Sequence, residues 1–272
     1  METMERTATP IERDIVVVEG SDARSYLQTQ LTQDVEALDL GQSAWSFILD
    51  PKSSIEALVR VTRIGHDRLT LDIEPGHGDA VRKRLDGMLF RTDVRFSQTR
   101  WPGVAWRGHR VGDYSARAPI VSRCTIGGIE GVDIVGPDVE APVGVPAVDL
   151  EELRIETGWP AMGAELVEGI TPAMTGLVAA TVSFDKGCYT GQELVARAHR
   201  HGAAPTRRLV HITAEPGTVT AGSELTVDGD PAGSVTSMLP SGKGLGYLAR
   251  RFEVPTRAMC GATTVEITAI ES

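Results

Sequence analysis

Apolar and polar positions change rhythm several times along this chain, and each rhythm predicts a kind of element. Residues 14–19 are a short β-branched run flanked by acids, and Gly20-Ser21 breaks it. Tyr26, Leu27, Gln30 and Leu31 then fall on one helical face, so a strand feeds a helix. Residues 45–49 and 55–61 read as two strands around the polar link 50–54, and Leu69, Leu71 and Ile73 alternate after Gly65. Together these predict an antiparallel meander. From Asp79 the period lengthens, with Val81, Leu85, Met88 and Leu89 at helical spacing, which predicts an amphipathic helix packed on the sheet.

Between Trp101 and Asp149 the pattern weakens into short apolar pieces at 119–121 and 132–135. A link containing Pro137, Pro142 and Pro146 follows and predicts a subdomain junction. A helix is expected from Asp149 to about Gly158, where Trp159-Pro160 cannot continue it. After Pro205 only short strand candidates remain, at 209–212, 224–227, 233–238, 245–248 and 264–270, divided by Gly or Pro turns. The prediction is an α+β protein with mixed subdomains over 1–205 and a small C-terminal β-barrel over 206–272.

Composition narrows the function. Lys and Arg number 27 against 37 Asp and Glu, a net charge of −10. That disfavours a generic polyanion binder, so no direct DNA contact is expected and RNA is a weak candidate. Phe, Trp and Tyr together make up 5% of the chain, too few for an aromatic platform that stacks bases. Cys124, Cys188 and Cys260 are odd in number and widely spaced, which fits a reducing compartment rather than a disulfide framework. The first fourteen residues carry four acids and no signal-like apolar stretch, and no uncharged run approaches the roughly 20 residues that cross a bilayer. A soluble, cytoplasmic protein with no membrane partner is the expectation.

The densest group of unusual residues is Phe184-Asp-Lys-Gly-Cys-Tyr-Thr-Gly-Gln-Glu-Leu-Val-Ala-Arg197. Gly187 and Gly191 permit a tight turn, and Thr190 is placed to cap a helix from Gln192 to Arg197. Cys188 then precedes a helix N-terminus beside Lys186, two features that favour a thiolate and make it a candidate reactive thiol. The plainer alternative is a small buried residue in a Gly-rich turn. His199 and His201 could join Cys188 around a metal, but the stretch 197–208 reads more simply as a solvated basic loop, and no metal site is expected. The segment Pro240-Ser-Gly-Lys-Gly-Leu-Gly246 lacks phosphate-loop spacing and reads as a hairpin turn. Cys124 and Cys260 read as structural. No Gly-x-Ser-x-Gly elbow marks a hydrolase.

The eight residues Lys-Gly-Cys-Tyr-Thr-Gly-Gln-Glu at 186–193 resemble the signature of the YgfZ family of folate-binding iron-sulfur-cluster accessory proteins. Residues 20–34, the run Leu-Arg-Ile-Glu-Thr-Gly at 153–158, Pro160 and Gly163-Ala-Glu165 resemble the wider superfamily that includes the T-protein, the aminomethyltransferase of glycine cleavage. The resemblance implies a T-protein-like fold that binds tetrahydrofolate or a derivative. Glu156 would hold the pterin edge, where a carboxylate can accept paired N–H bonds. Lys186, Tyr189, Gln192 and Arg197 would serve the same ligand, and Cys188 would be the reactive thiol. The implied partners are a reduced folate and iron-sulfur client enzymes, including radical enzymes that thiolate tRNA.

Departures from the superfamily pattern bear on activity. The transferases carry an acidic pair where this chain has Ala57 and Leu58, and without it developing iminium charge has no counter-ion. Glu56 should point to the other strand face from Ala57. Ser53 replaces the usual turn glycine, and Met174 replaces an acid. An accessory factor is therefore favoured over the alternative, a tetrahydrofolate-dependent one-carbon transferase.

Overall fold

The computed structural model describes residues 7–108, 118–126, 128–202 and 204–270; the first six residues and the side chain of His201 lie outside this description. Strands β1 (Thr7–Glu19), β2 (Ser43–Leu49), β3 (Ile55–Arg63), β4 (Arg68–Ile73), β5 (Arg95–Arg107), β6 (Ile120–Ile126) and β7 (Ile129–Val135) form one sheet in the order β2-β3-β4-β1-β5-β7-β6. All its pairings are antiparallel, and β2-β3-β4 is the expected meander. The sheet curls on itself. Flat, it would hold β2 and β6 about 29 Å apart, six steps of roughly 4.8 Å. Instead the hydroxyls of Ser43 on β2 and Ser122 on β6 lie 2.8 Å apart.

Alternation sorts each strand between two environments. On the outer face Val16, Val18, Val59, Val61, Leu69, Leu71 and Ile73 pack beneath helices α1 (Ala23–Gln30) and α2 (Gly78–Asp86). The two helices are joined where the Tyr26 hydroxyl donates to the Leu85 carbonyl at 2.5 Å. The helix at 78–86 is shorter than the periodicity predicts: it ends before Met88, which stands 47% exposed. On the inner face, Ile15, Val17, Ile120 and Val135 fill one end.

Charge fills the middle. Arg60, 1% exposed, pairs with Asp72 and reaches Asp133 at 2.7 Å. Asp133 also takes the Arg107 guanidinium at 2.8 Å, and Arg13 pairs with Asp72. Burial pushes the Asp133 carboxyl up, but its two arginines outweigh that and hold it below the usual carboxylate range.

Helix α3 (Leu150–Glu156) begins where the sequence predicts, with the Asp149 side chain accepting from the amides of Glu151 and Glu152. The proline-bearing link before it is packed rather than free: Val139 and Val145 lie on the Val104–Trp106 cluster, and Ala8 N–H donates to the Pro146 carbonyl at 2.8 Å. Short helices α4 (Pro172–Thr175) and α5 (Val178–Thr181) and the longer α6 (Gln192–His201) lead to a closed barrel. Its strands are β8 (Arg207–Thr213), β9 (Glu224–Val227), β10 (Asp230–Met238), β11 (Lys243–Ala249), β12 (Thr256–Cys260) and β13 (Thr263–Ala269), ordered β10-β11-β8-β13-β12-β9. The turn 239–242 is the expected hairpin between β10 and β11. Leu209, Leu245 and Tyr247 project from the barrel into a core shared with Phe47, Leu49, Leu58, Ile155 and Tyr189. Glu165, fully buried, accepts from Arg154, from Ala161 N–H and from the hydroxyls of Thr236 and Ser237 on β10, and so stitches α3 to the barrel. Among the described residues, no helix is long and apolar enough to cross a membrane.

Removing one partner from the buried charge group leaves the others unpaired. Asp133→Ala should therefore lower unfolding free energy by about 3–5 kcal/mol, read from the denaturant midpoint. The native Asp133 carboxyl titrates below its unfolded value of about 4, so its contribution is complete above that pH and fades as pH falls through the lower folded pKa. The variant should accordingly show a flatter loss of stability below about pH 4; an unchanged acid limb would contradict the assignment.

Candidate functional site

Residues 184–191 form an irregular turn that presses on the end of α1 and enters α6. Lys186 pins it there. Its side chain is buried, and Nζ donates to the carbonyls of Gln28 (2.5 Å), Leu31 (2.7 Å) and Gln33 (3.0 Å). These groups belong to the last turn of α1 and the chain just beyond, where unpaired carbonyls and the negative helix end attract a cation. Burial pulls the ammonium pKa down to about 8, against the pull of Asp34 and Glu36. All three of its hydrogens are directed at carbonyls, so Lys186 ties the loop down rather than offering a cation to a ligand or thiol.

The other side of the turn is fastened as well. Thr190 N–H donates to the Thr29 carbonyl at 3.1 Å, and Ser53 Oγ donates to the Gly191 carbonyl at 2.5 Å. Gly191 has φ +78°, and a Cβ there would lie 2.5 Å from the Asp50 carbonyl oxygen, so a glycine is required. It is Gly191, not Thr190, that caps α6, without a side-chain bond. Gly187 has open space where a Cβ would stand, so of the two glycines only Gly191 is held by a close approach. Ser53 stands in the left-handed conformation, at φ +67°, and its hydroxyl grips Gly191. Between the two anchors Cys188 is exposed as a free thiol.

A cavity of about 230 Å³ lies at the α3 end of the curled sheet, lined by Trp45, Leu58, Glu74, Arg107, Arg154 and Trp159 among others. The two indoles meet at 5.2 Å between centroids, and the Arg60 guanidinium sits 5.1 Å over the Trp45 ring. The Trp45 indole N–H and Arg107 Nε–H are buried without a partner among the described residues. Glu74 accepts from Met162 N–H at 3.1 Å. Burial pushes its carboxyl up, and Arg13 is the first of several groups opposing that.

The residues expected to hold a folate lie elsewhere. Glu156 ends α3 on the barrel side, exposed, with Oε1 2.5 Å from Nζ of Lys243 on β11, and the two line a separate pocket of about 400 Å³ with Ile155 and Thr213. Two residues are about 200° of helical turn, so Arg154 takes the inward face and Glu156 the outward one. Tyr189 is core, its phenol pushed up to about 12 by burial. Gln192 starts α6 with its N–H on the Tyr189 carbonyl, and Arg197 is exposed and paired with Glu193 at 2.6 Å. None of these, nor Lys186, lines the cavity in the curled sheet.

The basic stretch from Arg197 is helical up to His201 rather than a loop, and His199 stacks on Phe184 at 3.7 Å beside an apolar cavity of about 480 Å³ that Met174 also lines. No cluster of three metal-capable side chains occurs among the described residues. Sequence reading did locate Leu58, which faces the cavity, and Glu56, which turns away to pair with Arg84 at 2.6 Å. Glu74, Arg107 and the two tryptophans, which line the same cavity, are not among the residues that the sequence singles out. The available signal was charge at every second position of apolar strands, as at Asp72 and Glu74.

Lys186→Met would strand the buried carbonyl of Leu31 and the partly buried ones of Gln28 and Gln33. We expect a loss of about 2–4 kcal/mol with faster amide exchange at 28–33 and 186–191. An unchanged midpoint would show that the turn holds without its tie.

No family model matches the chain. An uncharacterized protein of Haemophilus influenzae is 30% identical over 197 residues, 70% of this chain and 67% of that one. The tRNA-modifying protein YgfZ of Escherichia coli is 50% identical over 52 residues, 19% of this chain and 16% of its own length. A putative chloroplastic transferase of Arabidopsis thaliana is 32% identical over 127 residues, 46% of this chain and 28% of that one. The crystal structure of the glycine cleavage system aminomethyltransferase T from Bartonella henselae superposes with a TM-score of 0.79 at 20% identity, covering 97% of this chain and 86% of that one. The curled sheet, the closed barrel and these matches together show that the chain belongs to the YgfZ and T-protein-like family.

Proposed function

We propose that this protein binds a reduced folate, tetrahydrofolate or a derivative, and serves the assembly or repair of iron-sulfur clusters in client enzymes, tRNA-modifying radical enzymes among them. The observation that carries this reading is the placement of Cys188. Its turn is fastened at Lys186 and at Thr190-Gly191, so the thiol is displayed outward on a rigid mount, away from the cavity in the sheet. A thiol so placed can meet another protein while a small molecule occupies the cavity. All three cysteines are free, which supports work in the reducing cytoplasm.

The second reading, a tetrahydrofolate-dependent one-carbon transferase, draws on the aminomethyltransferase fold. Against it, Ala57 is packed in the outer core and Leu58 presents only an alkyl group to the cavity. Neither can stabilise a developing iminium ion.

An anaerobic calorimetric titration with tetrahydrofolate should give saturable one-to-one binding; no heat at any accessible concentration would remove the folate from this proposal. Cys188→Ala should keep that binding and the fold yet fail to restore tRNA thiolation in cells lacking the native copy. Full restoration by the variant would end the role assigned to the thiol. Formation of methylenetetrahydrofolate from an aminomethyl donor would favour the transferase instead.

A further inference from the structure

The apolar cavity beside Phe184 and His199 is separate from the one in the curled sheet, and the two share no lining residue. It holds about 480 Å³ between α4 and α6, walled by Pro172, Met174, Val178, Phe184, Val195 and Ala198. Pro172 and Val195 are buried at its floor, whereas Leu194 at its mouth is 46% exposed. Nothing buried in this wall calls for a polar ligand. Among the described lining residues Ser53 is the buried polar one, and its hydroxyl is spent on the Gly191 carbonyl. None of the buried side-chain atoms left without a partner among the described residues belongs to the lining. Small-molecule sites are oriented by a few such groups, so this space suits alkyl side chains instead. Met174 stands where the superfamily pattern has an acid, and puts a flexible thioether adapted to varied apolar contacts in place of a charge.

Charge around the trough narrows the occupant further. From Gln192 to Arg208 the chain has one acid, Glu193, against Arg197, Arg200, Arg207 and Arg208. Glu193 is itself paired with Arg197, both of them well exposed, so that bond is weak and yields to another carboxylate. Lys52 and Arg207, each next in sequence to a lining residue, are exposed and make no ion pair among the described residues. Asp185 is the remaining exposed acid so placed. A basic rim on a chain of net charge −10 favours an acidic partner. RNA would answer the charges but brings no alkyl groups to fill the trough between them. The trough is also joined to the thiol. Phe184 in its wall opens the turn that carries Cys188, and Ser53 at its floor grips Gly191, which lies within about 11 Å of chain from Cys188.

We propose that this trough docks the protein partner that Cys188 serves, receiving an amphipathic segment whose apolar side chains enter between α4 and α6 while its carboxylates meet the basic rim. This rests on the reading of Cys188 as a thiol that meets a client, and specifies how that client is held. Leu194, Arg197 and Ala198 fall at i, i+3 and i+4 on α6, so an apolar and a basic group share the face that borders the mouth.

The probe is a short helical peptide with leucines at i, i+3, i+4 and i+7 and glutamates elsewhere, titrated into the full chain by fluorescence anisotropy; a copy with lysines for the glutamates is its control. The acidic peptide should bind saturably and the basic one at least tenfold more weakly. Leu194→Asp puts a charge at the mouth, and Lys52→Glu combined with Arg207→Glu reverses the rim; each should weaken the acidic peptide at least tenfold. Because these positions are exposed, melting and tetrahydrofolate binding should match the parent chain. In cells lacking the native copy, Leu194→Asp should restore less than a tenth of the tRNA thiolation that the parent restores. Should it unfold, the charge-reversed chain carries the test in the same assays. Binding of neither peptide, equal binding of both, or full restoration of thiolation by the folded variants overturns the docking site. So does purified tRNA that displaces the acidic peptide, which would make this an RNA face, or a dimer in sedimentation that Leu194→Asp dissolves, which would seat a second copy there. Any of these with Cys188→Ala still inactive leaves the thiol reading standing, whereas full restoration by Cys188→Ala overturns that reading itself.

Discussion

Closure of the sheet depends on one buried interaction, the reach of Arg60 from β3 to Asp133 on β7. Those strands stand four steps apart in sheet order, about 19 Å in a flat sheet, and a side chain cannot bridge that distance. The 2.7 Å contact exists only because the sheet curls until its two flanks face one another. Each charge in the group is expensive to bury and tolerable only with the others in place, Arg60 between Asp72 and Asp133, Asp133 between Arg60 and Arg107. Apolar side chains could fill the same space without prescribing which strand meets which. The charges select the curled arrangement over a flat one, because flattening strands several ions at once.

From that curl follow the cavity and its lining. Strand alternation sends Val59 and Val61 outward beneath the helices and Leu58 and Arg60 inward, so one run of β3 supplies both the outer core and the inner wall. Apolar side chains close one end of the interior. At the other end α3 covers the opening with Leu153 and Arg154, and Arg154 is tied through Glu165 to the barrel hydroxyls of Thr236 and Ser237. The barrel thus holds the lid of the cavity without entering it.

Much of this was legible in the sequence and part was not, for identifiable reasons. The β2-β3-β4 meander, the capped helix at Asp149 and the all-β C-terminal region follow from period and punctuation alone. Strand β5 was missed because Arg95-Phe-Ser-Gln-Thr-Arg carries little apolar signal and lies largely exposed, drawing its order from thirteen residues of pairing with β1. Strand β12 escapes for another reason: it is five residues long, and its apolar residues Ala258, Met259 and Cys260 are consecutive, so they show no alternation. The motif at 186–193 contains the exposed one of the three cysteines, but its spacing does not give the contacts its neighbours make. A lysine beside a cysteine suggests electrostatics; only the fold shows that Lys186 is spent on the carbonyls of Gln28, Leu31 and Gln33. Glu156 and Arg154 differ by two positions, and sequence spacing alone does not say which of them turns toward the cavity.

The hairpin of β2 and β3 relates the cavity to the Cys188 turn. Its strands carry Trp45 and Leu58 into the cavity, and its turn carries Ser53, whose hydroxyl grips Gly191 at the foot of the Cys188 loop. Ser53 holds a left-handed conformation that a glycine would take without strain, so the residue sacrifices some local stability and gains that bond. The thiol is thereby referenced to the same hairpin that walls the cavity. Under the proposed function this is the geometry required of a protein that retains a small molecule internally while presenting a thiol to a separate protein: the two are apart, and a single rigid element fixes the distance between them.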